Sequence, residues 1–185
     1  MRTLITGGVK SGKSTYALQL ALAFPEPRYF LATAEAFDEE MESRIARHKA
    51  ERAHKFTTIE EPLEIQAELR ERMVLDCLPL WLNNMFHYGR EAGLDAAIES
   101  LIARLPRDIV IVTNEIGMGF IPADPVSRRY GDALGRLNAA VAAACDSVIL
   151  MVAGLPVVVK DTRGGLEPET ASYRLSQVSR PGPGT

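Results

Sequence analysis

Residues 7–14 carry the side chains and the spacing of a phosphate-binding loop. They read Gly-Gly-Val-Lys-Ser-Gly-Lys-Ser, which is the full P-loop pattern, between a strand-like run and a helical pattern. Glycines let the backbone curl until successive N–H groups point at phosphate oxygens, at the positive end of the following helix. Lys13 is the expected catalytic cation on the β- and γ-phosphates, and Ser14 the expected Mg²⁺ ligand. The predicted nucleotide contacts of the loop are Gly7, Gly8, Val9, Lys10, Ser11, Gly12, Lys13 and Ser14.

A P-loop enzyme also needs an acidic residue at the tip of a neighbouring buried strand, to hold the metal directly or through water. Asp76 closes the run Met-Val-Leu-Asp and is the first candidate. Glu115 closes the run that starts at Ile109 and is the second candidate. Each could instead be a helix N-cap or a solvated turn acid, and the pattern favours the metal role for both.

The segment 38–53 has the pattern of a helix with a histidine between two arginines. Arg44, His48 and Arg52 are each four residues apart and therefore share one stripe of the helix. Two cations beside an imidazole favour its neutral form, which is a nucleophile, and guanidinium groups bind phosphates. On spacing alone, however, a solvent-facing helix of paired charges is the better interpretation.

Short continuous apolar runs alternate with helical patterns along the chain. The predicted strands are 4–5, 29–31, 73–75, 109–112 and 148–152. The predicted helices are 14–24, 38–53, 62–72, 78–88, 94–104 and 126–144. This alternation predicts an α/β fold, a P-loop NTPase core with a mostly parallel central sheet and helices on both faces. Met41 and Ile45 are expected to face the core. Ligands of such sheets bind beyond the carboxyl ends of the strands.

Length and composition are those of a globular protein. The 185 residues are 46% hydrophobic and 24% charged. We expect one domain at 1–160 and a flexible tail at 161–185, which is rich in Gly, Pro, Ser and charge. The net charge of −3 provides no general basic field for nucleic acid. No run approaches the roughly 20 apolar residues of a membrane span, no signal peptide is evident, and a cytoplasmic location is expected.

The cysteines and the remaining histidines are not expected to do chemistry. Cys77 and Cys145 have no metal-ligand spacing and are interpreted as small buried hydrophobic residues in a reducing compartment. His54 and His87 are interpreted as surface or packing residues.

Several motifs of the chain resemble those of the bifunctional adenosylcobinamide kinase/adenosylcobinamide-phosphate guanylyltransferase family. The most specific are Arg-Ile-Ala-Arg-His-Lys-Ala-Glu-Arg at 44–52 and Asn-Glu-Ile-Gly-Met-Gly at 114–119, which ordinary nucleotide kinases lack. The resemblance extends from the first strand to Lys160. The motif at 114–119 lies within the longer match 113–122, and the other matching segments are 6–14, 31–33, 38–41, 58–62, 75–84, 129–132 with Gly135 and Asn138, and 154–156.

This resemblance implies two reactions. A nucleoside triphosphate, ATP or GTP, phosphorylates the aminopropanol hydroxyl of adenosylcobinamide. GTP then guanylylates a histidine, here His48, and the GMP passes to the new phosphate to give adenosylcobinamide-GDP. The resemblance further implies a recombinase-like fold, Mg²⁺ as cofactor and a homotrimer. Beyond the phosphate loop, it places in the nucleotide site Leu31, Ala32, Thr33, Lys49, Ala50, Glu51, Arg52, Glu60 and Asp76.

The chain departs from the family pattern after the histidine helix. Where the family commonly has Arg-Pro-x-x-Trp, residues 52–56 read Arg-Ala-His-Lys-Phe, which keeps an aromatic residue and loses the proline. Two other functions stay open: a monofunctional P-loop kinase for another small alcohol, and a switch protein whose bound triphosphate drives conformation rather than synthesis.

Overall fold

The structure is a computed structural model that describes residues 1–36, 39–52, 54–119 and 121–166; of Arg44, Arg47, His48 and Glu51 it describes the backbone only. Its centre is a seven-stranded sheet in the order β3-β2-β4-β5-β1-β6-β7, and every pair is parallel except β6 with β7. The strands are β1 (Arg2–Gly7), β2 (Tyr29–Ala32), β3 (Thr57–Glu60), β4 (Met73–Asp76), β5 (Ile109–Val112), β6 (Ser147–Val152) and β7 (Leu155–Asp161).

Helices cover both faces of this sheet, as predicted. They are α1 (Lys13–Ala21), α2 (Glu39–Arg52), α3 (Leu78–His87), α4 (Leu94–Ala103) and α5 (Pro125–Ala144), with short 3-10 turns at Ile65–Ala67 and Glu91–Gly93. Successive strand residues point to opposite faces. In β5, Val110 and Val112 therefore pack with Ala17 and Ala21 of α1, while Ile109 and Ile111 pack in the other core with α3, α4 and α5.

The strand order places β5 between β1 and β4. Val110 of β5 pairs with Thr3 of β1, and Val74 of β4 pairs with Val110 from the other side. The expectation that Asp76 ends a strand neighbouring β1 is therefore wrong. Asp76 ends β4, which is separated from β1 by β5. Glu115 follows β5, the strand that does neighbour β1.

The predicted helix at 62–72 is wrong, since only the turn Ile65–Ala67 forms there. Outside this turn, side chains take several of the backbone groups of the segment. The Glu61 carboxylate accepts from the N–H groups of Leu63 and Glu64 at 2.9 and 2.8 Å. The Trp81 indole N–H donates to the Leu63 carbonyl at 2.8 Å. In a helix the Leu63 carbonyl would accept from a backbone N–H one turn later, but Trp81 occupies it here, so the segment is an irregular connection.

Two strands were not among those predicted from the sequence. β3 is a short edge strand whose four residues include only one large apolar side chain, Ile59, so it shows no apolar run. β7 pairs antiparallel with β6 and is exposed over most of its length, so burial imposes no pattern on it.

The end of β7 is tied to the body of the domain. The Lys160 ammonium donates to the carbonyls of Ala142, Ala143 and Cys145 at 3.1, 3.2 and 2.6 Å, and so satisfies the carboxyl end of α5. Thr162 N–H donates to the Asp146 carbonyl at 3.0 Å. Of the tail predicted at 161–185, residues 167–185 lie outside the described residues, and its flexibility stays a prediction. Among the described helices, none is long and apolar enough to cross a membrane.

Candidate active site

The loop between β1 and α1 has the backbone of a phosphate cradle. Gly7 has φ +144°, and a Cβ there would stand 2.4 Å from the Met151 carbonyl oxygen of β6, so only glycine fits. Lys10 and Gly12 also have positive φ, at 57° and 90°. These angles turn the chain tightly from the strand into α1, whose amino end faces the loop. The sequence pattern and the structure therefore agree on a phosphate-binding loop at the carboxyl edge of the sheet.

Lys13 holds its charge inside this loop. The side chain is 7% exposed, and its Nζ donates to the Gly8 carbonyl at 2.6 Å. Burial lowers the pKa of Lys13, while the nearby charges of Cys77 and Asp76 act to raise it. A buried ammonium surrounded by curled backbone N–H groups is a strong attractor for an anion such as phosphate.

Asp76 and Glu115, the two acidic candidates, have different surroundings. Asp76 is half-buried at the end of β4, and the N-cap of α3 is Cys77, so Asp76 is not that helix's cap. Its charge acts on Lys13. Glu115 follows β5, and its Oε1 accepts from Gly117 N–H at 2.8 Å, the geometry of a turn acid. The structure thus brings Asp76 toward Lys13 and engages Glu115 in its own loop.

The donor set suits Mg²⁺ held mainly by a nucleotide. Among the described residues, no group of three or more His, Cys, Asp and Glu side chains could hold a metal ion by itself. Mg²⁺ in phosphate sites characteristically uses one or two protein ligands together with waters and substrate phosphates. A hydroxyl from Ser14 and the carboxylate of Asp76 fit that requirement.

Thr33 links the ends of β2 and β4 beside the loop. It is fully buried, its hydroxyl donates to the Cys77 carbonyl at 2.8 Å, and the same oxygen accepts from Cys77 N–H at 3.0 Å. Asn84 of α3 donates to the carbonyls of Thr33 and Pro62 at 2.8 and 3.0 Å. This network fixes the position of Asp76 and of the chain that leads to α2. Asn84 is a positioning residue that the sequence motifs contained but did not identify.

A cavity of about 440 Å³ lies between α2 and the ends of β2 and β3. Lys49 and Glu60, two of the predicted nucleotide residues, both line it and form an ion pair at 2.5 Å. Its other lining residues were not predicted from the sequence: Ala34, Glu35, Ala36, Glu42, Ile45, Ala46 and Pro62. Only the tertiary structure joins these residues, because they come from three separate segments.

The described side chains of α2 differ in how deeply they are buried. Met41 and Ile45, which were expected to face the core, are only half-buried, and Ile45 lines the cavity. Arg52 is the anchor at the carboxyl end: it is 6% exposed and its guanidinium carbon lies 3.7 Å from the centre of the Phe30 ring. Phe56, the aromatic residue kept after the helix, meets the same ring edge-on at 6.5 Å. His48 lies on this helix next to Lys49, and its side chain is outside the described atoms.

The structure sorts the other predicted residues by their accessibility. Leu31 is fully buried in the sheet, Ala32 is half-buried at the end of β2, and Ala50 is exposed on α2. His54 is exposed, as expected, and Cys145 is buried, which raises the pKa of its thiol to about 12. Cys77 is only half-buried and stands beside Lys13, so it is not the plain core residue that was expected.

Comparison with known proteins identifies the family. Residues 3–159 match the family described as cobinamide kinase / cobinamide phosphate guanyltransferase. The chain is 42% identical over 169 residues to the bifunctional adenosylcobalamin biosynthesis protein CobP of Pseudomonas aeruginosa, covering 86% of this chain and 98% of that protein. It is 34% identical over 182 residues to CobU of Escherichia coli, named likewise, covering 86% of this chain and 100% of CobU. The chain therefore belongs to this family, and the resemblance stated from the motifs is confirmed.

Among solved structures, the chain is similar to the P4 protein of bacteriophage phi6 in complex with ADP, with a TM-score of 0.41 and 18% identity, covering 84% of this chain and 52% of that one.

Proposed function

We propose that the protein carries out two successive transfers to a corrinoid in cobalamin biosynthesis. ATP or GTP first phosphorylates the aminopropanol hydroxyl of adenosylcobinamide. GTP then guanylylates His48, and the GMP passes to the new phosphate to give adenosylcobinamide-GDP. The observation that carries the proposal is the family match over residues 3–159, which includes both the phosphate loop and the helix of His48. The relatives are named as bifunctional proteins of adenosylcobalamin biosynthesis.

The geometry of the phosphate loop supports the kinase step. In that step the acceptor hydroxyl oxygen bonds to the γ-phosphorus, the bond from that phosphorus to the β-phosphate oxygen breaks, and a nucleoside diphosphate leaves. Positioning and charge stabilisation account for most of the catalysis in phosphoryl transfer. Lys13, nearly excluded from water, supplies a fixed positive charge where negative charge shifts to the leaving oxygen.

The guanylyl transfer proceeds through a covalent intermediate on His48. A ring nitrogen attacks the α-phosphorus, a phosphoramidate forms, and pyrophosphate leaves from the phosphate loop. A phosphate oxygen of the acceptor then attacks the same phosphorus, the P–N bond breaks and the imidazole is restored. Covalent catalysis divides one difficult displacement into two easier ones.

The distance between β1, which leads into the phosphate loop, and β2, which leads to α2, indicates how GTP would lie. β1 and β2 are separated by β5 and β4, which is about 14 Å at the usual strand spacing. A triphosphate in the loop with its nucleoside in the cavity beside Lys49 and Glu60 spans this distance along the carboxyl edge of the sheet. The α-phosphate then stands between the loop and the helix of His48. Contact of Arg52 with the nucleotide would require another position of α2, because its guanidinium lies on Phe30 in this structure.

Ser14 and Asp76 would hold Mg²⁺ against the phosphates, with Glu115 as the second acidic candidate. The ion would supply positive charge that lowers the repulsion between the phosphates and the incoming nucleophile.

We also propose that the protein is a homotrimer in the cytoplasm. Exposed apolar residues on the edge strand β7 support self-association. Cys77 and Cys145 are not joined by a disulfide, which supports a reducing compartment.

Self-labelling with GTP tests the proposal. The protein is incubated with GTP labelled at the α-phosphate, without corrinoid, then denatured and examined for bound label. We expect an adduct that is labile to acid and stable to alkali, present in wild type and in His54→Asn, and absent in His48→Asn. His54→Asn is the matched control because it makes the same change at an exposed histidine just beyond the same helix.

Other outcomes distinguish the alternatives. A wild-type protein that takes up no label, yet phosphorylates the corrinoid, would leave only a kinase. Slow hydrolysis without an acceptor, coupled to self-assembly, would identify a nucleotide-dependent switch.

A further inference from the structure

The loop between β5 and α5, residues 113–124, begins at the rim of the phosphate site. Thr113 N–H donates to the Ile5 carbonyl at 2.9 Å, and Glu115 N–H donates to the Gly7 carbonyl at 3.1 Å. These bonds continue the β1–β5 ladder past the end of the strands, to the first glycine of the phosphate loop. The β5–α5 loop therefore leaves the sheet directly beside the place where the γ-phosphate would lie.

Hydrogen bonds hold the start of this loop in place. The Asn138 side chain of α5 donates to the Asn114 carbonyl at 2.9 Å and accepts from the Thr113 hydroxyl at 2.6 Å. Glu115 Oε1 accepts from Gly117 N–H at 2.8 Å.

The far end of the loop is held as firmly. Asp124 caps α5 by accepting from the N–H groups of Val126 and Ser127, both at 3.0 Å, and these bonds lower the pKa of its carboxyl. Arg128 donates to the carbonyls of Pro122 and Ala123 at 3.0 and 2.6 Å. The loop is thus anchored at both ends.

Between these anchors the loop presents apolar side chains to solvent. Met118 is 77% and Ile121 is 84% exposed. Ile116, Val126 at the start of α5, and Val9 of the phosphate loop are exposed as well. Single exposed apolar residues need no explanation, but a group of them on one anchored loop marks a binding surface. A nucleotide does not account for it, because the phosphates require the charged and N–H groups of the loop beside it.

We propose that Met118 and Ile121 form the apolar platform on which the corrinoid macrocycle lies while its aminopropanol arm reaches the phosphate loop. This inference rests on the proposed function. An acceptor hydroxyl must come within roughly 3–3.5 Å of the γ-phosphorus, so its carrier must bind at the rim of the loop. A flat macrocycle edged with methyl and amide groups can bury an apolar face against such a surface. Methionine adapts its shape to such a ligand.

The double variant Met118→Gln plus Ile121→Thr tests the platform, because it removes apolar surface without adding a charge. We expect the KM for cobinamide to rise at least about tenfold with little change in kcat. Titration of cobinamide onto the protein loaded with a non-hydrolysable GTP analogue should show the same loss of affinity. Leu22→Gln is the control, since Leu22 is exposed at the far end of α1 and undergoes a comparable change in polarity.

Self-labelling by GTP without corrinoid separates this proposal from the proposed function. The double variant should take up as much label as wild type, because the platform holds only the acceptor. An unchanged KM and affinity for cobinamide, with labelling intact, would overturn the platform. A double variant that changes the number of subunits without changing cobinamide affinity would also overturn the platform, because the loop would then be an interface between copies of the chain. Absence of label in wild type would instead contradict the guanylyl transfer.

Discussion

Lys13 shows at the scale of one residue how the site is prepared for an anion. A lysine that is 7% exposed is unfavourable unless something balances its charge. The Gly8 carbonyl accepts from its ammonium, the charges of Asp76 and Cys77 favour its charged form, and burial keeps the pKa of Lys13 below its ordinary value. A bound phosphate would also favour the charged form, so the charge of this residue and the affinity for nucleotide are linked.

The first prediction concerns the charge of Lys13. Lys13→Met should weaken GTP binding and slow both transfers by at least about 100-fold, because a charge aimed at the phosphates is lost. Equilibrium binding of a fluorescent GTP analogue and steady-state rates would measure this. Lys55→Met removes an exposed lysine outside the site and should change neither quantity.

The same residue predicts a pH dependence. Lys13 is charged below its pKa, and burial sets that pKa below 10.5. GTP affinity of the wild type should therefore fall as the pH rises through this lowered pKa, before an ordinary lysine would lose its proton. The fall should be missing in Lys13→Met. Equal slopes for the two proteins would contradict the assignment.

At the scale of elements, the two sides of the site are built differently. The phosphate loop is held between β1, β6 and α1, and its tight backbone leaves no space for a side chain at Gly7. Among the described side chains of α2, Lys49 pairs with Glu60 and Arg52 stacks on Phe30. An exposed ion pair contributes little, so of these two contacts the stacked arginine is the firmer attachment. The phosphate loop is thus fixed by its backbone, whereas these contacts of α2 are made by side chains.

The second prediction compares two adjacent glycines of the loop. Gly7→Ala should lower the free energy of unfolding by about 1–3 kcal/mol, because its Cβ would collide with the Met151 carbonyl and its φ is positive. Gly8→Ala should change it by less than about 0.5 kcal/mol, since a Cβ there meets nothing within 4 Å. Denaturant unfolding without nucleotide measures both. Equal destabilisation of the two variants would mean that the contact with β6 is unimportant.

At the scale of the whole molecule, the edge strand β7 is the most unusual feature. Its residues Leu155, Val157, Val158 and Val159 are about half exposed or more, on both faces of the strand. Within the described part of the chain, β7 pairs with β6, and its last residue, Asp161, also forms a bridge with Leu166. Most of one edge of the strand is therefore left for another partner. Natural proteins rarely leave a long apolar edge uncovered, because it promotes association. A second copy of the chain would cover it in the proposed trimer.

The third prediction tests that assembly. The double variant Val157→Lys plus Val159→Lys should convert the proposed trimer to monomers, because burying two unpaired charges in an interface is strongly unfavourable. The double variant Val157→Thr plus Val159→Thr keeps the shape without charge and should weaken assembly much less. Light scattering of the eluting protein gives the mass directly. A wild-type monomer would contradict the trimer itself, and trimers in all three proteins would place the interface elsewhere.

Much of this protein could be read from the sequence because its signals are local. The phosphate loop is eight consecutive residues whose types follow from the backbone they must adopt, and the buried strands β1, β4 and β5 are continuous apolar runs because both of their faces are covered. The motif around His48 was equally local, so the family could be identified before the fold was known.

Only the tertiary structure decided features that depend on contacts between distant segments. The segment after β3 failed to become a helix because Trp81 and Asn84 of a later helix take its carbonyl groups. Strand order separated Asp76 from β1, and chain packing joined α2 to β2 and β3 around the cavity.

For the phosphate loop, the sequence determines what is bound and the tertiary structure determines what lies beside it. Its residue types specify that a triphosphate is held, because backbone N–H groups and one ammonium are sufficient for that task. What lies beside the loop is not encoded in those eight residues. The backbone bonds from Thr113 and Glu115 bring the β5–α5 loop to its rim, and strand order sets the end of β2, which leads to α2, about 14 Å from β1. Long-range hydrogen bonding determines those positions, so no local pattern could predict them.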